Sequence, residues 1–349
     1  MSIFSLARFW GLALLTLALW SSPLLAKSSS REDLFSRLTW AQASQARDAL
    51  NPSPAAGEGP PVVVAVIPAY HHTHHQSLKT TLDGTRLKSR SGTSRLGSLT
   101  LTATKPLSEF ITLGWIYQYT FGQYKGGLLV PDLSYLDGRS EVDLSSHMTG
   151  LFGDFALGAF GNLNASFLVA WDSFSGRETM ISPAGPATRN LESQDTRLGS
   201  ITLWWRKAVP LSQSWSLSPF LGWRTIRACL RGQTDWTGPV GATTTLNSWA
   251  HLVSGGLTLK YQGPVSLTLW AGHNQRTKKG NIPGFSSRAI APDIANLGWM
   301  NNWDQRVWTY GLGLGKSFGD NLNLDLSYNG FQGKDALSQT VNLAVIWVF

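Results

Sequence analysis

The sequence predicts an all-β fold: a transmembrane antiparallel β-barrel of about twelve strands, preceded by a short helix. Three observations predict it. From Val62 to the C-terminus apolar residues recur at every second position, the period of a strand with one greasy face. The polar connections between these segments alternate between long and short. The composition combines 16 Trp and 35 Gly with only 14% charged residues, as expected of a wall whose outside is apolar and whose inside favours small side chains.

The first segment sets the compartment. Residues 1–26 carry Arg8, the apolar run "FWGLALLTLALW" and then "SSPLLA" before Lys27. That is the pattern of a secretory signal peptide, with cleavage expected after Ala26. No later run is long and apolar enough for a membrane-spanning helix. The single cysteine, Cys229, excludes an intramolecular disulfide framework. Residues 27–61 are read as a helix and a linker. In "REDLFSRLTWAQASQARDAL", residues 31–50, Leu34, Leu38, Ala41 and Ala46 share a stripe that Phe35 widens. "NPSPAAGEGPP" then breaks the helix with Pro and Gly.

Residues 62–349 are read as the barrel. "FITLGWIYQY" sets Ile111, Leu113, Trp115 and Tyr117 against Thr112, Gly114 and Gln118. "WSLSPFLGWR" sets Trp215, Leu217, Leu221 and Trp223 against Ser216, Ser218 and Gly222. "VSLTLWAGH" sets Val265, Leu267 and Leu269 against Ser266, Thr268 and Trp270. "VWTYGLGLGKSF" and "LNLDLSYNG" repeat the pattern with Trp308, Tyr310, Leu312, Leu314 and with Leu322, Leu324, Leu326, Tyr328. These strands are expected to be about ten residues long, enough to cross a bilayer at a tilt. Short turns are expected at "KPLSE", "GAFGN", "PLSQS", "QGP" and "GDN". Long outer loops are expected near 72–93, 121–141, 175–194, 230–246 and 278–302. About eleven strands follow residue 93, and "VVVAVIPAY" supplies the one that makes the number even, as bacterial barrels require. Pro68 in that strand calls for an edge or a bulge.

The chain ends "TVNLAVIWVF", with Val341, Leu343, Val345, Trp347 and Phe349 on one face. This ending resembles the C-terminal signature of bacterial outer-membrane proteins, which the barrel-insertion machinery reads. By size and by segments such as "SSHMTGLFGDFAL", residues 62–349 further resemble the translocator barrel of autotransporters. They depart from that family in having only the helix and linker of 27–61, and no large passenger, before the barrel. The resemblance implies residence in the bacterial outer membrane and a passive narrow channel or a structural membrane role.

Residues suited to chemistry are few. "GLGLGKS" at 311–317 is one residue short of a phosphate-binding loop, and its glycines alternate with leucines. "HHTHH" supplies four histidines, His71, His72, His74 and His75, as compositional metal ligands. Outer-membrane phospholipases place a Ser two residues after a His, and none of His147, His251 or His273 is so followed. The sequence thus yields no catalytic, cofactor or metal site and no sign of nucleic-acid binding. An outer-membrane lipase or protease, or a surface binder acting through its loops, is the alternative. Parity places Asp154, Asp172, Arg206, Arg224, Lys260 and Asp325 on the lumen side. Their charges cancel, so the formal excess of +8 is expected elsewhere. The first and fifth outer loops carry Lys79, Arg86, Lys88, Lys278 and Lys279, cations suited to the phosphates of lipopolysaccharide.

Overall fold

The structure, a computed structural model, describes residues 62–82, 85–127, 130–131, 137–183, 185–233, 243–278, 306–319, 321–333 and 336–349. The segments read as signal peptide, helix and linker lie outside them.

The barrel strands begin with β1 (Val63–His75), β2 (Gly92–Pro106), β3 (Ile111–Gly127), β4 (Asp137–Ala156), β5 (Asn162–Ser182) and β6 (Gly185–Arg206). They continue with β7 (Trp215–Gln233), β8 (Thr243–Tyr261), β9 (Ser266–Lys278), β10 (Arg306–Phe318), β11 (Leu322–Gln332) and β12 (Ala336–Val348). Each pairs antiparallel with the next. The last, β12, returns to β1. Closure satisfies the N–H and C=O groups that an open edge would strand in hydrocarbon.

At the closing seam the Val62 N–H donates to the Phe349 carbonyl at 3.2 Å, and the Phe349 N–H donates to the Val62 carbonyl at 2.9 Å. The β1–β12 ladder skips Ile67 and Pro68, whereas the β1–β2 ladder runs unbroken through Pro68 and Leu99. A proline has no N–H to give. Its missing bond therefore falls between the first and last strands, where the sequence offered no other edge.

The faces follow the sequence period. On β11 Leu322, Leu324, Leu326 and Tyr328 point outward, while Asn323, Asp325, Ser327 and Asn329 line the inside. Outward apolar residues are exposed around the circumference, Leu113, Leu151, Leu203, Leu257 and Leu314 among them. An apolar band exposed on every side is the mark of a wall solvated by lipid. Phe110, Phe160, Trp215, Phe318, Trp347 and Phe349 edge it at the end that holds Val62 and Phe349. Phe121, Trp171, Trp223 and Trp308 edge it at the other end. The five short turns lie at the first end, as expected. Two use left-handed glycines, Gly158 and Gly161 at φ 59° and 94° in one and Gly319 at φ 66° in the other, positions a side chain would strain.

One expectation is revised. Strands β4 to β8 run 19 to 22 residues, not about ten. Much of the polar sequence read as outer loops near 121–141 and 175–194 continues as strand, because hydrogen bonds to a neighbouring strand persist where the lipid ends. Strands β9 to β12 run only 11 to 13 residues. The wall is therefore taller on the β4–β8 side. A small sheet of Leu78–Leu82, Thr85–Ser89 and Val130–Pro131 lies outside the barrel ladder at the same end.

Candidate functional site

The lumen gathers most of the polar side chains of the strands. Ser94, Ser98, Thr100, Thr102 and Thr104 follow one another along β2, all buried. Gln118 and Thr120 on β3 and Thr340 and Asn342 on β12 continue this lining. Larger inward side chains lie against the wall over glycines. Trp270 on β9 faces Gly311 on β10, and a Cβ there would overlap its ring. Trp204 rests on Gly222 and Phe152 on Gly114 in the same way. Only glycine lets a ring lie flat against the neighbouring strand.

Of the six inward charges that the sequence singled out, four gather near the short-turn end and two lie higher. Near the short-turn end, Arg206 on β6 donates to Asp154 on β4 across β5, Nη2 to Oδ2 at 3.1 Å. Lys260 lies within electrostatic reach of both Arg206 and Asp325. Two acids and two bases thus share one end of the bore with no formal excess. Higher up, Arg224 donates from Nε to Thr202 Oγ1 at 2.9 Å, and Asp172 lies opposite Ser146 of the neighbouring strand, buried and with neither carboxylate oxygen hydrogen-bonded among the described residues. The register sets these two apart, because Arg224 lies opposite Thr202 whereas Asp172 lies opposite Thr196.

Sequence reasoning missed the buried group at the closing seam. His71 on β1 reaches Thr340 on β12 through Nδ1 and Ser98 on β2 through Nε2, each at 3.0 Å. Thr73 and Ser338 add a hydroxyl pair at 2.8 Å one step along. A Ser–His contact is the start of a nucleophilic pair, but all three side chains are buried and the third partner is a neutral hydroxyl. The group ties three strands together. Strand alternation also divides the histidine tract, turning His71 inward and His72 and His74 outward. Nothing in the sequence joins residues 71, 98 and 340; only barrel closure does.

The lumen also has an apolar patch. Val63, Ala65 and Ile67 of β1 and Ala344, Ile346 and Val348 of β12 form a buried inward cluster at the short-turn end. A second cluster joins Trp204, Phe220 and Phe331, with the Trp204 and Phe220 rings stacked 4.9 Å apart. Thr100, Ile116, Gln118 and Thr120 are fully shielded from solvent. This stretch of the bore does not present its wall to an open water column.

The remaining sequence candidates are on the outside. Val341, Leu343, Val345, Trp347 and Phe349 face outward on β12, with Phe349 76% exposed at the rim. Lys79, Arg86 and Lys88 fall on the small outer sheet, and Lys278 ends β9. Lys279 lies outside the described residues.

Fold and lumen together define a transmembrane β-barrel. Its architecture is similar to that of autotransporter translocator domains of known structure. The translocator domain of autotransporter NalP from Neisseria meningitidis matches at a TM-score of 0.63 and 14% identity, over 92% of this chain and 99% of that one. The transport unit of the autotransporter AIDA-I from Escherichia coli matches at 0.53 and 11% identity, over 88% of this chain and 98% of that one. No protein-family model matches the sequence, and the comparison with curated proteins finds no match. At these identities the likeness is one of fold.

Proposed function

We propose that the chain is an integral outer-membrane barrel, exported by residues 1–26, that serves as a narrow passive conduit closed at rest by its own residues 27–61. The observation that carries this reading is the apolar patch of Val63, Ala65, Ile67, Ala344, Ile346 and Val348 inside the mouth where the chain enters the barrel. A water-filled mouth gains nothing from such a patch. An amphipathic segment with the apolar stripe of Leu34, Phe35 and Leu38, joined to β1 by a linker, gains by covering it. The full shielding of Thr100, Gln118 and Thr120 on the inner wall supports the same reading. The cancelling charges Asp154, Arg206, Lys260 and Asp325 leave the bore with weak ion selectivity. The C-terminal strand engages the insertion machinery, and lipopolysaccharide surrounds the outer rim. A second reading, a surface binding protein, draws on the height of β4–β8.

Planar-bilayer recording tests the proposal. The full chain is expected to give rare or small steps, and deletion of residues 27–58 to raise conductance severalfold. Equal conductance for both proteins removes the plug. Silence from both, with the barrel shown to be folded, removes the conduit and leaves a structural or binding role.

A further inference from the structure

One hydrogen-bonded row on the outer wall breaks the lipid-facing pattern. Tyr119 of β3 pairs with His147 of β4, His147 with Trp171 of β5, and Trp171 with Arg197 of β6. All four lie on the outward parity, and His147, Trp171 and Arg197 are exposed. The row stands at the upper edge of the apolar band. On β5 the outward residues from Leu163 to Trp171 span eight steps, about 27 Å along the strand and about 20 Å along the membrane normal at the usual tilt. That is close to the height of the lipid-facing band of such barrels, about 25 Å. Below the row lie Leu151, Phe167, Ile201 and Leu203, all apolar and exposed. Directly above it come Phe121 and Ser145 on β3 and β4, and Ser173 and Asp195 on β5 and β6.

His147 is held in place. The Tyr117 hydroxyl lies 2.8 Å from Nδ1, and the Tyr119 ring packs at 4.8 Å between centroids. With the phenol donating, Nδ1 accepts and Nε2 carries the N–H, free to donate outward. Arg197 has no ion-pair partner among the described residues. Of the acids further up, Asp143 accepts from the Gln123 amide at 3.1 Å and Glu141 pairs with Lys125, while Asp195 stands two residues above Arg197 on β6. A guanidinium with no ion-pair partner among the described residues, a fixed imidazole donor and an indole thus stand side by side on the outer wall near its upper edge.

We infer that the Tyr119–His147–Trp171–Arg197 row is a docking site for one phosphorylated glycolipid of the outer leaflet. Arg197 takes a headgroup phosphate through its two-pronged fork, which matches that geometry where a lysine would offer a point charge. His147 donates a second hydrogen bond, and Trp171 packs at the sugar–acyl boundary, the level where amphipathic rings settle. The apolar wall beneath receives the acyl chains. Charge complementarity and the continuous apolar surface below choose this occupant over a soluble anion, which would leave Phe167 and Ile201 uncovered. The site is separate from the bore, so it stands whether or not the conduit reading does.

Native mass spectrometry of the full chain, refolded in detergent and titrated with bisphosphorylated lipid A, provides the test. The wild type is expected to retain one lipid A in preference to further copies. Arg197→Gln should lower retention about tenfold and Arg197→Lys should restore only part of it. His147→Gln should give a smaller loss. Arg177→Gln removes another exposed outward cation, higher on β5, and should change nothing. Dephosphorylated lipid A should bind wild type as weakly as lipid A binds Arg197→Gln. Unchanged retention in Arg197→Gln overturns the proposal, as does an equal loss in Arg177→Gln, which would mean diffuse charge attraction. Equal retention of phosphatidylglycerol overturns the glycolipid assignment. Heat-modifiable mobility on unboiled gels confirms that each variant is folded, and none of these side chains points into the barrel.

Discussion

Glycines 311 and 313 lie two residues apart on the inner face of β10, yet the structure predicts opposite responses to the same substitution. At Gly311 an added methyl would run into the Trp270 ring on the neighbouring strand. At Gly313 the nearest atoms, Thr268 Cβ and Ser327 Cβ, stand 3.7 and 3.9 Å from the new carbon, ordinary contact distances. Replacing a strand glycine by alanine recovers about 0.5–1 kcal/mol of backbone entropy, and overpacking a filled site costs about 1–3 kcal/mol. Gly313→Ala should therefore be neutral or slightly stabilising. Gly311→Ala should be destabilising by up to about 2 kcal/mol after the same gain is subtracted. The two should differ by about 1–3 kcal/mol, the overpacking term alone. Reversible urea unfolding in phospholipid vesicles, followed by heat-modifiable mobility, measures both. A double-mutant cycle isolates the cause, because in a Trp270→Ala background the penalty at Gly311 should vanish. Equal effects at 311 and 313, or an undiminished penalty once the ring is gone, would refute the seating of Trp270 on Gly311.

Other parts of the molecule give further expectations. Phe349→Ala removes the exposed aromatic residue that follows β12 and, if that strand is the insertion signal, should lower the folded yield in the outer membrane; equal heat-modifiable yields for mutant and wild type would count against that role. His71→Leu deprives the buried Ser98 and Thr340 hydroxyls of their partner and should cost about 1–3 kcal/mol. Adding Ser98→Ala to that variant should cost little more, and a full second penalty would show that the three groups do not act together.

The barrel was legible in the sequence because a lipid-facing wall repeats one simple rule. Strands such as β10 and β11 alternate cleanly, since from Thr309 to Ser317 and from Asn323 to Asn329 their inward positions are only Thr, Gly, Ser, Asn and Asp. The first strand was harder. Val62 to Ile67 is apolar at every position, so its parity cannot be read from residue type. The structure turns Val63, Ala65 and Ile67 inward, onto the apolar patch at the mouth. The height of β4–β8 was also hidden, because polar residues that leave the bilayer as strand have the composition of loops. Candidate lumen charges followed from parity alone. Which of them meet did not, since Asp154 and Arg206 come together across an intervening strand. The His71–Ser98–Thr340 group depends on the two ends of the chain coming together, which local pattern does not encode.

The central claim is that alternate residues of each strand face lipid and lumen, and a labelling scan of β11 tests it most directly. Single cysteines at positions 322 to 328, in a Cys229→Ser background, carry an environment-sensitive fluorophore in vesicles that contain spin-labelled lipid. Labels at Leu322, Leu324, Leu326 and Tyr328 should be strongly quenched, and labels at Asn323, Asp325 and Ser327 only weakly. Uniform quenching along the strand, or its absence at every position, would contradict the barrel described above.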